Sequence, residues 1–243
     1  MSGHSKWNNI KRKKEKTDAQ KAKIFTKVGR EIAVAVREGG PDPANNGRLR
    51  DAIAKAKAAN VPADNIDRTI KKSAIDKTEY ETIVYEGYSV GGVAVMVDTL
   101  TDNRNRTASN MRYYFDKHKG NLGTTGCVSF MFTQKGTLEI DAGGLDQDVI
   151  MEDCFESGAL DFEFEDEVAV ITTTAEDLRS VREYFENKGY SFLSAENDFE
   201  ASNYLTIDDQ EQLKLIGLLF ERFDDDDDVQ NYWHNLANIE DLP

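Results

Sequence analysis

The chain has 243 residues, 39% of them apolar and 31% charged, which is enough for a sizeable core in one to three domains and is the composition of a folded protein, not a disordered one. No apolar run approaches the ~20 residues of a membrane span, and the opening MSGHSKWNNIKRKKEK has charge without an apolar stretch behind it, which argues against a secretory signal and for a cytoplasmic protein with no membrane partner. The net charge of −15 conceals an asymmetry: residues 1–77 hold 19 Lys and Arg against 9 Asp and Glu, whereas residues 78–243 hold 11 against 36. A basic segment on an acidic body calls for an anionic partner for that segment, and the body limits where a polyanion can lie.

Residues 1–23 are polar and basic, with Trp7 and Ile10 as their large apolar residues, and read as an extended arm running into a short helix. From Ile24 the pattern becomes helical: Ile24, Val28, Ile32 and Val36 recur every four residues, with Phe25 beside them. Gly39-Gly40-Pro41 stops that helix. Asn45 or Asn46 caps a second one with Leu49, Ile53 and Ala56 on its face. Pro62 suits the first turn of a third, with Asp64 and Asp67 early, Lys71 and Lys72 late, and Ile66 and Ile70 as its short apolar face. Residues 24–73 thus form a small helical bundle.

After Lys77 the period drops to about two. YETIVYEGY and GGVAVMVDTL read as two strands joined through Val90-Gly91-Gly92. A helix over 104–117 carries Ala108, Met111 and Phe115 on one face and ends at Gly120 in a left-handed cap, and VSFMFT is the next strand. Then come GTLEID (strand), LDQDVIMEDCFES (helix), DFEFED and VAVITT (strands), a helix opened by Thr174 and Asp177 and ended by Gly189, and FLSAENDF (strand). This order is βαββαβ, the ferredoxin-like arrangement. The tail is a helix, opened by Thr206 and Asp209 and faced by Leu213, Ile216, Phe220 and Phe223, followed by the strand VQNYWHN. The 80–133 segment has strands but too few helices to cover them, and the tail supplies what is missing.

The fold class expected is therefore α+β: an N-terminal helical bundle plus two ferredoxin-like-type α+β domains, one inserted in the other. The expected domains are 1–77, a discontinuous 78–133 with 206–243, and an inserted 134–205.

The densest chemical signal is the arm. Lys6, Lys11, Arg12, Lys13, Lys14, Lys16, Lys21, Lys23, Lys27 and Arg30 make ten basic residues against two acidic ones through residue 30. Such a cluster neutralises phosphates and releases their counterions, and Trp7 offers a flat surface for an unpaired base. Arg104 and Arg106 stand at a strand-to-helix junction where free N–H groups suit a phosphate, although capping by Asp102 or Asn103 explains the motif equally well. The glycines of KGNLGTTGCVSFMF lack the Gly-Lys-Ser/Thr of a phosphate loop and read as a tight turn. Asp224–Asp228 lacks the alternating spacing of a calcium loop and reads as a solvated turn. His4, His118 and His234 have no ligand-spaced neighbours, so neither metal nor cofactor is expected, and no nucleophile constellation points to an enzyme. Cys127 and Cys154 sit in apolar surroundings and read as buried, reduced thiols.

The stretches GHSKWNNIKRKKEKTDAQKAKIFTKVGREI, GGPDPANNGRLRDAIAKAKAANVP, DNIDRTIKK, YEGYSVGGVAVMVDTLTDNRNRTASNMR and GNLGTTGCVSFMF together resemble the YebC/PmpR family, over essentially the whole chain. Cys127 departs from the small hydroxyl residue the resemblance leads one to expect there. The resemblance implies three domains, the last inserted in the second. It also implies a DNA-binding transcriptional regulator, with mitochondrial relatives described as translational activators and bacterial members linked to ribosomes. The partners it suggests are DNA, or ribosomal RNA and transfer RNA in the ribosome, with ribosomal proteins as a further docking possibility. The arm and the surface near Arg104 and Arg106 become the contact candidates. Against duplex DNA stands the absence of a helix-turn-helix pair in the sequence. For RNA stands a basic arm with an aromatic.

Overall fold

The four-residue apolar spacing between Ile24 and Val36 falls within helix α1 (Asp18–Gly39) of the computed structural model, which describes residues 18–76 and 78–243. Gly40, at φ 83°, turns the chain out of it. Helix α2 (Gly47–Ala58) is capped by Asn46, whose Oδ1 accepts from the Leu49 N–H at 3.0 Å, and α3 (Ala63–Ser73) starts behind Pro62. Val28, Ile32, Ala35 and Val36 of α1 close on Leu49, Ala52, Ala56 and Ile66 to make the bundle core. Each large aliphatic side chain buried there contributes roughly 1.5–3 kcal/mol.

The hairpin is β1 (Glu81–Tyr88) against β2 (Ala94–Thr101), antiparallel in unbroken register from Glu81↔Thr101 to Tyr88↔Ala94. Gly91 (φ 77°) and Gly92 (φ 83°) make its turn. Helix α4 (Arg104–Lys117) follows, then a two-residue strand, β3 (Asn121–Leu122), on the outer edge of β1. Helix α7 (Gln210–Asp225) and strand β8 (Val229–His234) come from the tail, giving the order β3-β1-β2-β8. Met111 and Phe115 of α4 and Leu213, Ile216, Phe220 and Phe223 of α7 share one core with Val95 and Val97 of β2. The tail completes the layer the hairpin lacks.

Between the two halves of this sheet the chain makes a second compact unit, residues 133–200. Its elements are β4 (Phe132–Asp141), α5 (Gln147–Ser157), β5 (Asp161–Glu165), β6 (Val168–Thr174), α6 (Leu178–Lys188) and β7 (Phe192–Ala201). The sheet order is β5-β6-β4-β7, with Leu138, Ile140, Ile150, Cys154, Ile171, Val181 and Phe185 in its core. The architecture is α+β, as the periodicities indicate. Thr174 ends β6 and α6 begins after Asp177, which makes no side-chain cap; the Thr174 Oγ1 instead accepts from the Asp177 N–H at 3.0 Å and donates to the Asp177 carboxylate at 2.7 Å in the turn before the helix.

Four local expectations change. Val128–Met131 is not strand; Ser129–Met131 form a 3-10 turn and the ladder begins at Phe132. The reason is that the carboxylate of Glu86 takes the N–H groups of Gly126, Val128 and Ser129, each at 2.8 Å, and so withholds them from any neighbouring strand. The left-handed residue after α4 is Lys119 (φ 58°), not Gly120. Gly120 serves close approach instead, since a Cβ there would lie 2.7 Å from the Tyr88 carbonyl oxygen. At the start of α7 the cap is Asp209, accepting from Glu211 and Gln212, with Thr206 outside the helix. Finally, Cys154 is buried but Cys127 is only partly so, and both are free thiols.

Candidate nucleic-acid interface

Lys6, Trp7, Lys11, Arg12, Lys13 and Lys14 lie outside the described residues. Lys21 is in the first turns of α1, and the rest of the basic series continues along that helix toward the end of α7. Lys23 pairs with Asp225, and the Lys27 ammonium lies 3.5 Å from the Phe223 carbonyl oxygen. These cations stand where the last turn of α7 exposes unsatisfied carbonyls, which its helix dipole favours.

Arg30 reaches deepest. Its guanidinium donates to the Leu100 carbonyl at 3.1 Å, the Asp227 carbonyl at 2.9 Å and the Asp228 carboxylate at 2.5 Å, and it lies 5.7 Å from the centre of the Tyr80 ring. Asp228 also accepts from Arg106 at 2.8 Å, Thr107 at 2.7 Å and Thr101 at 3.2 Å. Its side chain is 3% exposed. Burial pushes its carboxyl upward, but the hydrogen bonds from Thr107, Arg106 and Arg30 outweigh that and hold it below the usual carboxylate range. Asp226 takes the Tyr114 hydroxyl at 3.0 Å and the Asn110 amide at 3.2 Å.

The aspartate run is thus more than a solvated turn: Asp225 and Asp227 are exposed, but Asp228 is buried. It is a clasp that ties α1 and α4 to the end of α7. The cations that meet it are side chains of the chain itself. Among the described residues no three His, Cys, Asp or Glu side chains converge as a metal-binding group.

At the start of α4, the Asn103 side chain caps the helix by accepting from the Arg106 N–H at 3.1 Å, and the Thr101 hydroxyl accepts from Asn103 N–H at 2.9 Å. Arg106 is held by Asp102 at 2.7 Å as well as by Asp228. Arg104 differs: its side chain is 69% exposed, with the Glu81 carboxylate 3.7 Å away. The structure therefore brings Lys23, Lys27, Arg30 and Arg106 together around one acidic segment and leaves Arg104 facing solvent. Asp228, the residue that organises this group, has no distinguishing mark in a run of five aspartates.

These features define a class of protein: a basic helical segment clasped to an antiparallel α+β body that carries an inserted βαββαβ unit. The profile of the TACO1/YebC protein N-terminal domain matches residues 5–76, and that of the TACO1/YebC second and third domain matches residues 80–236. A protein of Acetivibrio thermocellus named "Probable transcriptional regulatory protein" is 53% identical over 238 residues, covering 97% of this chain and 98% of its own length. One of Clostridium botulinum with the same name is also 53% identical, covering 97% and 96%. The crystal structure of a conserved hypothetical protein, Aq1575 from Aquifex aeolicus, superposes with a TM-score of 0.80 at 43% identity, covering 90% of this chain and 91% of that one. The chain belongs to the TACO1/YebC family. No helix among its described residues is long and apolar enough to cross a membrane.

Proposed function

We propose that the protein is a non-enzymatic, nucleic-acid-binding regulator of gene expression whose principal contact is the basic segment 6–16. One observation carries this reading. That segment holds six cations (Lys6, Lys11, Arg12, Lys13, Lys14, Lys16) against one acid, in a chain of net charge −15, while on α1 Lys23 and Arg30 are met by the Asp224–Asp228 clasp and Lys27 by the Phe223 carbonyl. Phosphate neutralisation then falls to residues 6–16, with Arg104 as an auxiliary contact, and the clasp fixes the helix from which that segment leads. The relatives are named as probable transcriptional regulatory proteins, and a role in transcription favours DNA as the partner. The alternative is a translation factor on ribosomal or transfer RNA. It is favoured by the solvent-exposed Phe130, which suits unpaired bases better than a duplex.

The test is a salt titration of binding to duplex DNA and to an RNA hairpin. Replacing Lys11, Lys13 and Lys14 by alanine lowers affinity for every sequence, and flattens the log–log salt slope by about one unit for each lost contact. Replacing Lys23 by alanine leaves the slope unchanged. An unchanged slope in the triple variant overturns the arm as the contact, and the tighter of the two probes decides between DNA and RNA.

A further inference from the structure

The loop between β3 and β4 is built with a care that its role as a connection does not explain. The side chain of Glu86, on β1, is buried, and its carboxylate accepts three loop N–H groups. Burial raises its pKa, but the hydrogen bonds from Gly126, Val128 and Ser129 outweigh that and lower it, so the group is charged at neutral pH. The Tyr88 hydroxyl donates to the Cys127 carbonyl at 3.0 Å, and the Gly123 N–H to the Glu86 carbonyl at 2.8 Å. Gly126 sits at φ 91°, open to glycine. A side chain at Gly123 would collide with the Cys127 sulfur, 2.4 Å from its Cβ.

What this framework presents is Phe130. Its neighbours at alternate positions, Val128 and Phe132, are 0% and 8% exposed, whereas Phe130 is 75% exposed. An aromatic side chain held out between two buried ones is pre-positioned for contact and loses little entropy on binding. The composition of the segment suits one class of partner. Residues 117–132 contain no Asp or Glu and two Lys, in a chain where 45 of 243 residues are acidic and about three acids would be expected by chance, and the carboxylate that does reach the loop, Glu86, is buried and taken up by its amides. Thr124 and Thr125, both exposed, add hydroxyl groups. A rigid aromatic with adjacent hydroxyls, on a segment without acidic residues of its own, fits the π-face and polar edge of a nucleobase beside a phosphate backbone.

We infer that the Glu86-anchored loop 123–131 is a second nucleic-acid contact, in which Phe130 stacks on an unpaired base. This rests on the nucleic-acid reading above and deepens it by naming the ligand as single-stranded or looped. Glu86 is a positioning residue, acting through the loop and not on the ligand.

The experiment measures binding of the full chain to a 12-nucleotide oligouridine RNA, a 12-nucleotide oligothymidine DNA and a 20-base-pair DNA duplex. Phe130→Ala weakens the single strands about tenfold or more and the duplex less than twofold, with the salt slope unchanged because no phosphate contact is lost. Phe130→Tyr restores affinity. Glu86→Gln raises hydrogen exchange at the Gly126, Val128 and Ser129 amides and weakens the same single strands, and its loss does not add to that of Phe130→Ala. The stronger of the two wild-type single-strand affinities identifies RNA or DNA as the source of the base. An equal loss on duplex and single strands, or no loss, overturns the stacking role while leaving the arm's salt dependence standing. Failure of the wild type to bind any of the three at low salt overturns the nucleic-acid reading and this proposal with it.

Discussion

Asp228 is one carboxylate facing two guanidinium groups and two hydroxyls, with its side chain almost wholly out of water. Such a group is stable only while its partners remain, because removing one member leaves the others desolvated and uncompensated. Asp228→Ala is expected to cost about 3–5 kcal/mol, read as a drop in the urea midpoint with the slope retained. Combining it with Arg30→Ala is expected to cost less than the two single losses together, since both act on the same pair. Nothing local distinguishes Asp228 from Asp224 or Asp227 in the sequence. Its role depends on Arg30, Arg106 and Thr107, each more than 100 positions away. Glu86 shows the same limit: it is one acid within an alternating strand pattern, and its purpose is set by amides 40 to 43 residues downstream.

Element boundaries were far more legible, because caps and periodicities are local. The apolar spacing of α1, the Asn46 cap of α2, the Thr174–Asp177 pair at α6 and the glycine stops at Gly40 and Gly189 are all short-range chemistry. Asn46 does more than cap, however. Its amide nitrogen also donates to the Ala35 carbonyl at 2.7 Å and the Gly40 carbonyl at 2.8 Å, joining the end of α1 to the start of α2. Asn46→Ala is expected to cost roughly 2 kcal/mol, more than the ~1 kcal/mol of an ordinary cap. Asn46→Asp should not rescue it, although aspartate caps helices as well as asparagine, because it sets a carboxylate against two carbonyls. Equal stability of the wild type and the Asp variant in thermal melts would show that only the cap matters. The strand assigned to VSFMFT failed for the converse reason. Its residues have strand-forming side chains, but the amides of Val128 and Ser129 are bound to a distant carboxylate, and the strand starts only at Phe132.

At the scale of the whole molecule, the charge divides between the two compact units. Residues 133–200 hold 4 basic and 19 acidic residues, and all others hold 26 of each, so the entire net charge of −15 belongs to the inserted unit. Titration is expected to act in two opposing steps. Burial, then the nearby Glu31, raise the Asp98 carboxyl to about 6 against the pull of Lys55. Its Oδ1 is buried without a hydrogen-bond partner among the described residues. The folded state therefore holds that proton more tightly than the unfolded chain, and stability rises as pH falls from above 6 toward about 4. Asp228, Glu86 and Asp153 are shifted downward, their hydrogen bonds outweighing burial, so their contribution is present above about 4 and is lost as pH falls through their folded values. Maximum stability is expected between pH 4 and 6. Asp98→Asn should gain about 1–2 kcal/mol at pH 7 and little at pH 4, flattening the melting temperature across that window. A variant melting like the wild type at pH 7 would count against a strained carboxylate.

The sequence by itself determined the helices, the hairpin, the βαββαβ insertion and the concentration of cations in residues 6–16, because each depends on the spacing of neighbouring side chains or on simple counting. Only the tertiary structure decided that the aspartate run clasps Lys23, Arg30 and Arg106, and that Glu86 shapes the loop that exposes Phe130. Those are pairings between groups tens to hundreds of residues apart, and a buried charge acquires its role only from the partners that folding brings to it.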